Sequence, residues 1–367
     1  MGLNLLHIDT ERTWRGGEQQ AFLLCEGLAQ TERWNVLFQT QPESPLAHRL
    51  RERGISVIEN PMRGEYDLRA VWRLGSFLDE KNINLIHAHD AHAHTLAWLA
   101  TMRRPDIKVV VSRRVDFPVG GNLISALKYQ SKRIHYIAIS NGVKEAMIRG
   151  GVPNERIDIV HSGVDPRRFE GIRKGMVFRK EYGIQEDEIF IGNVAALTDH
   201  KGQIYLIEAA PYVLERFPRA RFFIMGEGQL RPLLQRKIQE LNLNGKVVLT
   251  GHISNIGEAY ASMDLFALSS HLEGLCTAVV DAMLMGVPVV ATRTGGVPDV
   301  VLDGECGLLA QPRNPKALGE CIVRLLSDKD MQSRFIERGK ARVQELFTAE
   351  KMIQGTIKVY EKLLRQG

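Results

Sequence analysis

Residues 273–288 read Glu-Gly-Leu-Cys-Thr-Ala-Val-Val-Asp-Ala-Met-Leu-Met-Gly-Val-Pro, a loop that gives way to an apolar helix. A strand-like run at 265–268 precedes them, so the segment predicts a strand, a polar turn and a helix capped by Thr277. The N-terminus of a helix offers unpaired N–H groups and the positive end of the helix dipole, which suit a phosphate. Glu273 and Asp281 are placed to hold hydroxyl groups beside it. A ligand with hydroxyl groups on both sides of a phosphate is typically a nucleotide sugar.

The alternation of short apolar runs with helical patterns extends outward from this segment and occurs twice in the chain. Such a rhythm predicts βαβ units, and therefore an α/β fold with two mostly parallel sheets. Two Rossmann-like domains that face each other form a deep cleft, and ligands bind beyond the carboxyl ends of the strands. The predicted strands lie at 3–8, 36–40, 56–58, 85–89, 109–112, 136–140, 157–161, 189–194, 221–225, 247–250, 265–268 and 287–291.

The two domains meet in charged, helix-poor sequence that ends near residue 175. We place the first domain at 1–166 and the second at 167–348. A last amphipathic helix lies within 349–367, and we expect it to cross back and complete the first domain. The segment at 166–175 is the predicted hinge.

Composition restricts the class of protein. The chain has 367 residues, 44% of them hydrophobic and 25% charged, which is ordinary for a soluble enzyme. Its four cysteines have no metal-site spacing, which fits a reducing cytoplasm. We find no signal peptide and no apolar run long enough to span a bilayer. The expected location is therefore the cytoplasm.

Positive charge is concentrated in residues 101–182, which hold 17 Lys/Arg and 8 Asp/Glu, whereas the whole chain has a net charge of +5. A solvated surface accounts for such a bias. The alternative is contact with an anionic acceptor or with the cytoplasmic face of the inner membrane. Nucleic acid is not an expected partner because no nucleic-acid-binding motif is present.

Three glycine-containing turns follow predicted strands. Gly16-Gly17 lies between the first strand and the first helix, where a glycine pair lets backbone approach a ligand. Lys201-Gly202 follows a strand, and its lysine can place a charge on a diphosphate. Gly226-Glu227-Gly228 is a further turn of close approach. None of them completes the G-x-G-x-x-G pattern, which argues against a dinucleotide site.

Other polar groups have more than one interpretation. His87, His89, His92 and His94 surround the end of a strand, and we favour neutral histidines over a metal site. Residues 328–330 read Asp-Lys-Asp between two predicted helices and indicate a capping turn rather than a metal motif.

A pair of arginines ends another strand, in the segment Ser-Arg-Arg-Val-Asp-Phe-Pro at 112–118. Guanidinium groups at a strand's carboxyl end can hold a phosphate or a carboxylate. An interdomain salt bridge is the other interpretation.

Taken together, these motifs resemble the retaining, nucleotide-sugar-dependent glycosyltransferases with two Rossmann-like domains, the GT-B type of group 1. The resemblance covers nearly the whole chain, and the segment from Glu273 to Pro288 is its most specific part. The other marks are Gly16-Gly17-Glu18, Ile137–Ser140, Val160–Asp165 with Phe169, Lys201-Gly202, Gly226–Gly228, Asp303-Gly304 and Gly307–Leu309.

The resemblance implies roles for residues of the second domain. Glu273 matches the acid that contacts the transferred sugar, Asp281 the acid that binds the ribose, and Lys201 the phosphate lysine. Backbone groups at Leu275, Cys276 and Thr277 would meet the sugar and the diphosphate, and the loop that contains Ile253 would hold the base. Gly16, Gly17 and Gly226 would border the nucleotide sugar.

Three departures from the family pattern stand out. The second acid is usually Glu, and Asp281 is one methylene shorter. Ala196 stands where many members have a phosphate-binding arginine. A histidine common after the strand that here ends in Ser112 is absent, and we expect Arg113 or Arg114 to take over part of its role.

The expected activity is retaining transfer of a hexosyl unit from a nucleoside diphosphate sugar, with UDP favoured, to an acceptor hydroxyl. Lys201, Glu273 and Arg114 are the expected catalytic residues, and no cofactor or metal ion is expected. The acceptor is a glycan or a lipid-linked glycan, in cell-surface polysaccharide or lipopolysaccharide synthesis. The alternatives are a catalytically inactive glycan- or lipid-binding member and a sugar-nucleotide epimerase.

Overall fold

The computed structural model describes residues 3–116, 123–172, 175 and 177–365. The chain forms two compact units, one of Met1–Gly163 with Ala349–Gly367 and one of Val164–Thr348. The division near the middle of the chain thus lies three residues before the position expected from the sequence, and the second division lies at 348/349. Phe117 and Pro118 of the arginine segment and two residues of the predicted hinge, 173 and 174, lie outside the described residues.

Unit 1 is built on a parallel sheet with the strand order β3-β2-β1-β4-β5-β6-β7. Parallel strands are covered on both faces, which explains why β1 buries consecutive apolar residues such as Leu5 and Leu6. Its strands are β1 Leu3–Ile8, β2 Trp34–Thr40, β3 Ser56–Glu59, β4 Leu85–Ala88, β5 Lys108–Arg113, β6 Ile134–Ala138 and β7 Ile157–Ile159.

The helices of unit 1 include the last helix of the chain. Its residue Tyr360 is fully buried and packs edge-on against Trp34 of β2, with ring centroids 5.5 Å apart. Gly27 of the first helix lies so close to Ile353 that a Cβ would stand 2.3 Å from the Ile353 Cδ1. The helices are α1 Gly16–Ala29, α2 Pro45–Glu52, α3 Leu68–Glu80, α4 Ala91–Thr101, α5 Leu123–Gln130, α6 Asn141–Arg149 and α15 Ala349–Arg365.

Unit 2 has a second parallel sheet, with the strand order β10-β9-β8-β11-β12-β13. Its core joins Phe222, Leu265 and Val290 of the sheet to Leu206 and Ile322 of the covering helices. The strands are β8 Ile189–Val194, β9 Ala220–Met225, β10 Val247–Gly251, β11 Leu265–Ala267, β12 Val289–Thr292 and β13 Leu308–Ala310. The helices are α7 Val177–Glu181, α8 Gln203–Arg216, α9 Arg231–Glu240, α10 Ile256–Ser262, α11 Thr277–Leu284, α12 Val297–Val300, α13 Pro315–Ser327 and α14 Lys329–Leu346.

The predicted fold class of two Rossmann-like α/β units is confirmed, although the three-residue strand β13 and the helices α5, α6, α7, α10 and α12 were not predicted. Asp328 caps α14 by accepting a hydrogen bond from the Met331 N–H at 2.8 Å, as the sequence indicated. Among the described helices, none is both long and apolar enough to cross a membrane.

Candidate functional site

The turn after β11 and the turn after β8 are joined by an ion pair. The Nζ of Lys201 lies 2.7 Å from the Oε1 of Glu273, and the same oxygen accepts a hydrogen bond from the Ser270 Oγ at 2.8 Å. Glu273 is only 6% exposed, so Lys201 and Ser270 supply the contacts that a buried carboxylate requires. Two residues 72 positions apart, both predicted as site residues, are therefore in direct contact.

A glycine in the left-handed conformation permits these two turns to meet. Lys201 ends a 3-10 turn, Asp199–Lys201, and Gly202 follows with a φ of 61°. A Cβ on Gly202 would stand 2.3 Å from the backbone oxygen of Ser269. The Oγ of Ser269 also donates to the Lys201 carbonyl oxygen at 3.2 Å. The position of Lys201 is thus fixed by backbone packing.

Helix α11 begins at Thr277, but Thr277 is not its cap, so the predicted cap was wrong. Cys276 occupies the cap position in the left-handed region, with a φ of 76°, and its side chain makes no capping hydrogen bond. Because its first N–H groups have no side-chain cap, the end of the helix remains suited to an anion. Burial raises the pKa of the Cys276 thiol to about 12, so the thiol is protonated at neutral pH.

Asp281 lies in the second turn of α11 and is 7% exposed. Burial raises the pKa of its carboxyl to about 6, against the opposing effect of Arg168. The Nη1 of Arg168 stands 3.5 Å from the Asp281 Oδ1, and that oxygen has no hydrogen-bond partner among the described residues. Arg168 was not predicted as a site residue, although the neighbouring Phe169 was noted.

The turn after β9 fits tightly against the turn after β8. Gly226 has a φ of 146°, and a Cβ there would stand 2.1 Å from the backbone oxygen of Ala195. The N–H of Gly226 donates to the carbonyl of Gly251 at the end of β10. Ile253, the predicted base-contacting residue, follows two positions later and is half-buried.

In unit 1, Gly16 and Gly17 are the first residues of α1 rather than part of the loop before it. Glu18 accepts a hydrogen bond from the Arg15 N–H at 2.6 Å and so holds the start of the helix. A Cβ built on Gly17 would stand 3.7 Å from the Cδ of Arg114, which follows β5. The structure therefore brings Gly17 and Arg114 together. Lys201, Glu273 and α11 belong to the other unit.

A buried histidine cluster underlies Arg114. The pairing of β1 with β4 sets His7 opposite His87, and His7 Nδ1 lies 2.8 Å from His89 Nε2. Burial lowers the pKa of all three histidines, so they are neutral near pH 7. His94 is buried too, but it makes edge contacts with the rings of Tyr129 and Tyr136 instead. His7 was not predicted.

The ligand atoms of His7, His87 and His89 all lie within 4.8 Å of one another, as a metal site would require. However, His87 already uses both nitrogens, Nδ1 with the Tyr360 hydroxyl at 2.5 Å and Nε2 with the Ser112 Oγ at 2.8 Å. His89 is in addition 3.0 Å from the guanidinium of Arg114, a position unfavourable for a dication. These contacts favour the predicted neutral cluster over a metal centre.

Comparison with known proteins gives a consistent result for both units. The model of the family "Glycosyl transferases group 1" matches residues 177–342, and that of "Glycosyltransferase Family 4" matches residues 14–168.

Two relatives from bacteria are similar over most of their length. The N-acetyl-α-D-glucosaminyl L-malate synthase of Bacillus anthracis is 25% identical, over 87% of this chain and 84% of that protein. The UDP-Gal:α-D-GlcNAc-diphosphoundecaprenol α-1,3-galactosyltransferase of Escherichia coli is also 25% identical, over 72% of this chain and 71% of that protein.

Among solved structures, HepE of Anabaena in complex with UDP and glucose superposes with a TM-score of 0.85 at 20% identity. The match covers 98% of this chain and 100% of HepE. At this identity the likeness concerns the fold.

Proposed function

The chain belongs to the group 1 glycosyltransferases of the GT-B fold, and on that premise we propose that it transfers a hexosyl unit from a nucleoside diphosphate sugar to an acceptor hydroxyl with retention of configuration. The ion pair between Lys201 and Glu273 beside the uncapped end of α11 carries this proposal. It places a cation, a carboxylate and the backbone N–H groups at the start of a helix next to one another.

The Lys201–Glu273 pair supplies two of the groups that a nucleotide-sugar donor would use. When a diphosphate enters, Lys201 exchanges the carboxylate for a phosphate oxygen, and Glu273 becomes available to the hydroxyls of the sugar. Until then each charge neutralises the other, which reduces the penalty of burying Glu273. Asp281, four residues into α11, then accepts hydrogen bonds from the ribose hydroxyls.

Transfer breaks the bond between the anomeric carbon and the diphosphate oxygen, and charge develops on both. Lys201 and the N-terminus of α11 stabilise the departing diphosphate as preorganised groups. The acceptor oxygen then bonds to the anomeric carbon on the face that the diphosphate leaves, and its proton passes to the leaving phosphate oxygen. This same-face route needs no protein nucleophile, which agrees with the protonated Cys276 thiol in the site.

UDP-sugars are the proposed donors. The Anabaena structure of similar fold holds UDP and glucose, and the E. coli relative is named for a UDP-galactose donor. Because Lys201 and α11 supply positive charge at the diphosphate, we propose that transfer needs no metal ion. Turnover unchanged by a chelator is the expected result, and turnover restored only by a divalent cation would contradict it.

We propose a glycan or lipid-linked glycan as the acceptor, in cell-surface polysaccharide or lipopolysaccharide synthesis. The E. coli relative acts on a diphosphoundecaprenol-linked sugar, as its name says. The excess of Lys and Arg in residues 101–182 supports peripheral contact with an anionic membrane at its cytoplasmic face. Vesicles that contain anionic lipid should retain the protein at low salt, and equal retention by neutral vesicles would contradict this contact.

A labelled-donor assay tests the transferase proposal. The donor is first selected by thermal shift, since a ligand at about 100 times its Kd adds about 2.7 kcal/mol of stability. Lys201→Ala should then lower kcat by about 100-fold or more, the loss typical of one preorganised group. Lys237→Ala is the matched control, because Lys237 lies in the same unit and contacts only Glu208 and Glu240 among the described acids. Equal activity of the two variants would remove Lys201 from the mechanism.

A further inference from the structure

Arg114 is a guanidinium whose hydrogen-bonding capacity is largely unused. It is half-buried, and its one contact of this kind within the described part of the chain is with His89, where Nη2 lies 3.0 Å from Nδ1. Its Nε is buried and has no hydrogen-bond partner among the described residues. No described carboxylate forms an ion pair with it, although buried charges in proteins are normally paired.

Arg179 in unit 2 shows what a structural arginine looks like in this chain. It donates to the carbonyl oxygens of Ser262, Gln185 and Glu188 at 3.0–3.2 Å and is paired with the carboxylate of Asp264. Every part of that guanidinium therefore has a partner within the protein. The contrast indicates that the guanidinium of Arg114 is available to bind a ligand.

Hydrogen-bond roles below Arg114 are determined by its chemistry. A guanidinium can only donate, so the Nδ1 of His89 must accept. A neutral His89 then carries its proton on Nε2 and donates to His7 Nδ1 at 2.8 Å. His7 in turn carries its proton on Nε2, which is buried and has no described partner. Two neutral rings thus fix the direction of Arg114 without neutralising its charge.

The nearby carboxyl groups are engaged elsewhere. Asp9 Oδ1 accepts from the Glu11 N–H at 2.9 Å, and Glu18 Oε2 accepts from the Arg15 N–H at 2.6 Å. Burial raises the pKa of both carboxyls, whereas Arg114 lowers them. Burial has the opposite effect on Arg114, whose pKa it lowers to about 10. The guanidinium therefore stays charged at neutral pH.

We propose that Arg114 binds an anionic group, a carboxylate or a phosphate, carried by the acceptor, and that His89 and His7 are its positioning residues. The assignment rests on the transferase function proposed above and deepens it, since it gives the acceptor a negatively charged group. Gly17 lies beside Arg114 and has no side chain to fill the space next to it, since a Cβ there would stand 3.7 Å from the Arg114 Cδ. The diphosphate of the donor is the competing anion.

Inorganic phosphate is the probe, because it offers the shared chemistry without the rest of the acceptor. Binding is followed through the Nε–H NMR signal of Arg114 in protein labelled with ¹⁵N-arginine, which Arg114→Met assigns by its disappearance. Phosphate should shift that signal to saturation in the parent and in Lys201→Ala. It should continue to do so when the donor site is filled with UDP. Absence of a saturable shift overturns the site, and displacement of phosphate by UDP assigns Arg114 to the donor instead.

The positioning residues need their own variants. His89→Phe removes the acceptor of the Arg114 hydrogen bond, whereas His89→Gln retains one, so phosphate should bind at least about tenfold more weakly to the first variant only. Histidine ¹⁵N shifts in the parent should report both His89 and His7 as Nε2–H tautomers. An Nδ1–H tautomer of His89, or equal affinities of the two variants, would contradict the positioning role.

Failure of this inference is distinguishable from failure of the transferase proposal. Donor binding and donor hydrolysis report on Lys201 and α11, and Arg114→Met should leave the UDP affinity unchanged. Arg104→Met serves as the control arginine, since Arg104 forms a bidentate pair with Asp79 at 2.7 and 2.6 Å. It should bind phosphate at Arg114 as the parent does, and a loss in this variant would contradict a specific site.

Discussion

Lys201 and Glu273 form a direct ion pair, with 2.7 Å between Nζ and Oε1, at the point where the turns after β8 and β11 meet. Lys201→Ala should therefore leave a buried carboxylate without its ion-pair partner and lower the free energy of unfolding by about 3 kcal/mol, which urea denaturation measures. The double variant Lys201→Ala/Glu273→Gln should recover most of that loss. Purely additive single effects in this double-mutant cycle would show that the pair is not coupled.

The carboxyl of Asp281 makes donor affinity depend on pH. Its pKa is raised to about 6, so it gains a proton as the pH falls through that value and loses its capacity as a charged acceptor for hydroxyls. UDP should bind about tenfold more weakly at about pH 5 than at about pH 7.5, as titration calorimetry can measure. Asp281→Asn should bind with an affinity that varies little over this range. The same pH dependence in the variant would exclude Asp281 as its source.

Ionisation of Asp281 should lower the free energy of unfolding, whereas it should strengthen donor binding. Because its folded pKa of about 6 lies above the ordinary value of 3.8, the folded state disfavours the ionised form, and this destabilisation fades as the pH falls from about 6 to about 4. Asp281→Asn should therefore unfold at a higher urea concentration than the parent at about pH 7.5. The difference should shrink at about pH 4.5, and a difference that grows there would contradict the assigned shift.

His94→Phe should stabilise the protein. Both ring nitrogens of His94 are buried without a partner among the described residues, whereas its edge contacts with Tyr129 and Tyr136 suit any aromatic ring. Relief of the unsatisfied polar atoms should add about 1–2 kcal/mol to the free energy of unfolding. Exposed His92 provides the control variant His92→Gln, which should leave stability unchanged. A less stable His94→Phe would mean that the nitrogens have partners in solution.

The same substitution should reduce sensitivity to acid. The pKa of His94 lies well below 6.5 because of burial and of nearby Lys128 and Arg113, so the unfolded chain takes up the proton first as the pH falls. Stability is then lost progressively below about pH 6.5, and His94→Phe should lose less between about pH 7.5 and pH 5.5.

Gly226→Ala should disrupt the donor-binding unit. The new Cβ would stand 2.1 Å from a backbone oxygen, at a φ of 146° that side chains rarely adopt, so we expect a loss of about 3 kcal/mol or more. Gly304→Ala is the control, because its φ is 74° and no atom of the described residues lies within 4 Å of its Cβ, so backbone strain alone should remove about 1 kcal/mol. Similar melting temperatures for the two variants would refute the close contact.

The sequence predicted much of this architecture because periodicity and turn residues act locally. It identified β1 and β8 with the bounds that the structure has. The cap of α11 was wrong because the left-handed conformation of Cys276 depends on the packing of the surrounding loop. No local pattern signals such a conformation at a cysteine.

The sequence did not predict His7 and Arg168 as site residues, and the reason is the same for both. His7 lies in an apolar strand, so its sequence context predicts a core residue. Its contact with the other histidines follows only from the sheet order, which places β1 beside β4. Arg168 lies in a segment that the sequence assigned to a hinge, yet its 3-10 turn brings it to Asp281. Contacts between residues more than 70 positions apart follow from strand order, which a single sequence does not specify.

A crystal structure with bound UDP-sugar tests the central claim most directly. The account predicts the diphosphate at the N-terminus of α11, with Lys201 Nζ on a phosphate oxygen instead of on Glu273, and the Glu273 carboxylate on hydroxyls of the sugar. A nucleotide sugar bound elsewhere, with the 2.7 Å ion pair intact, would contradict it.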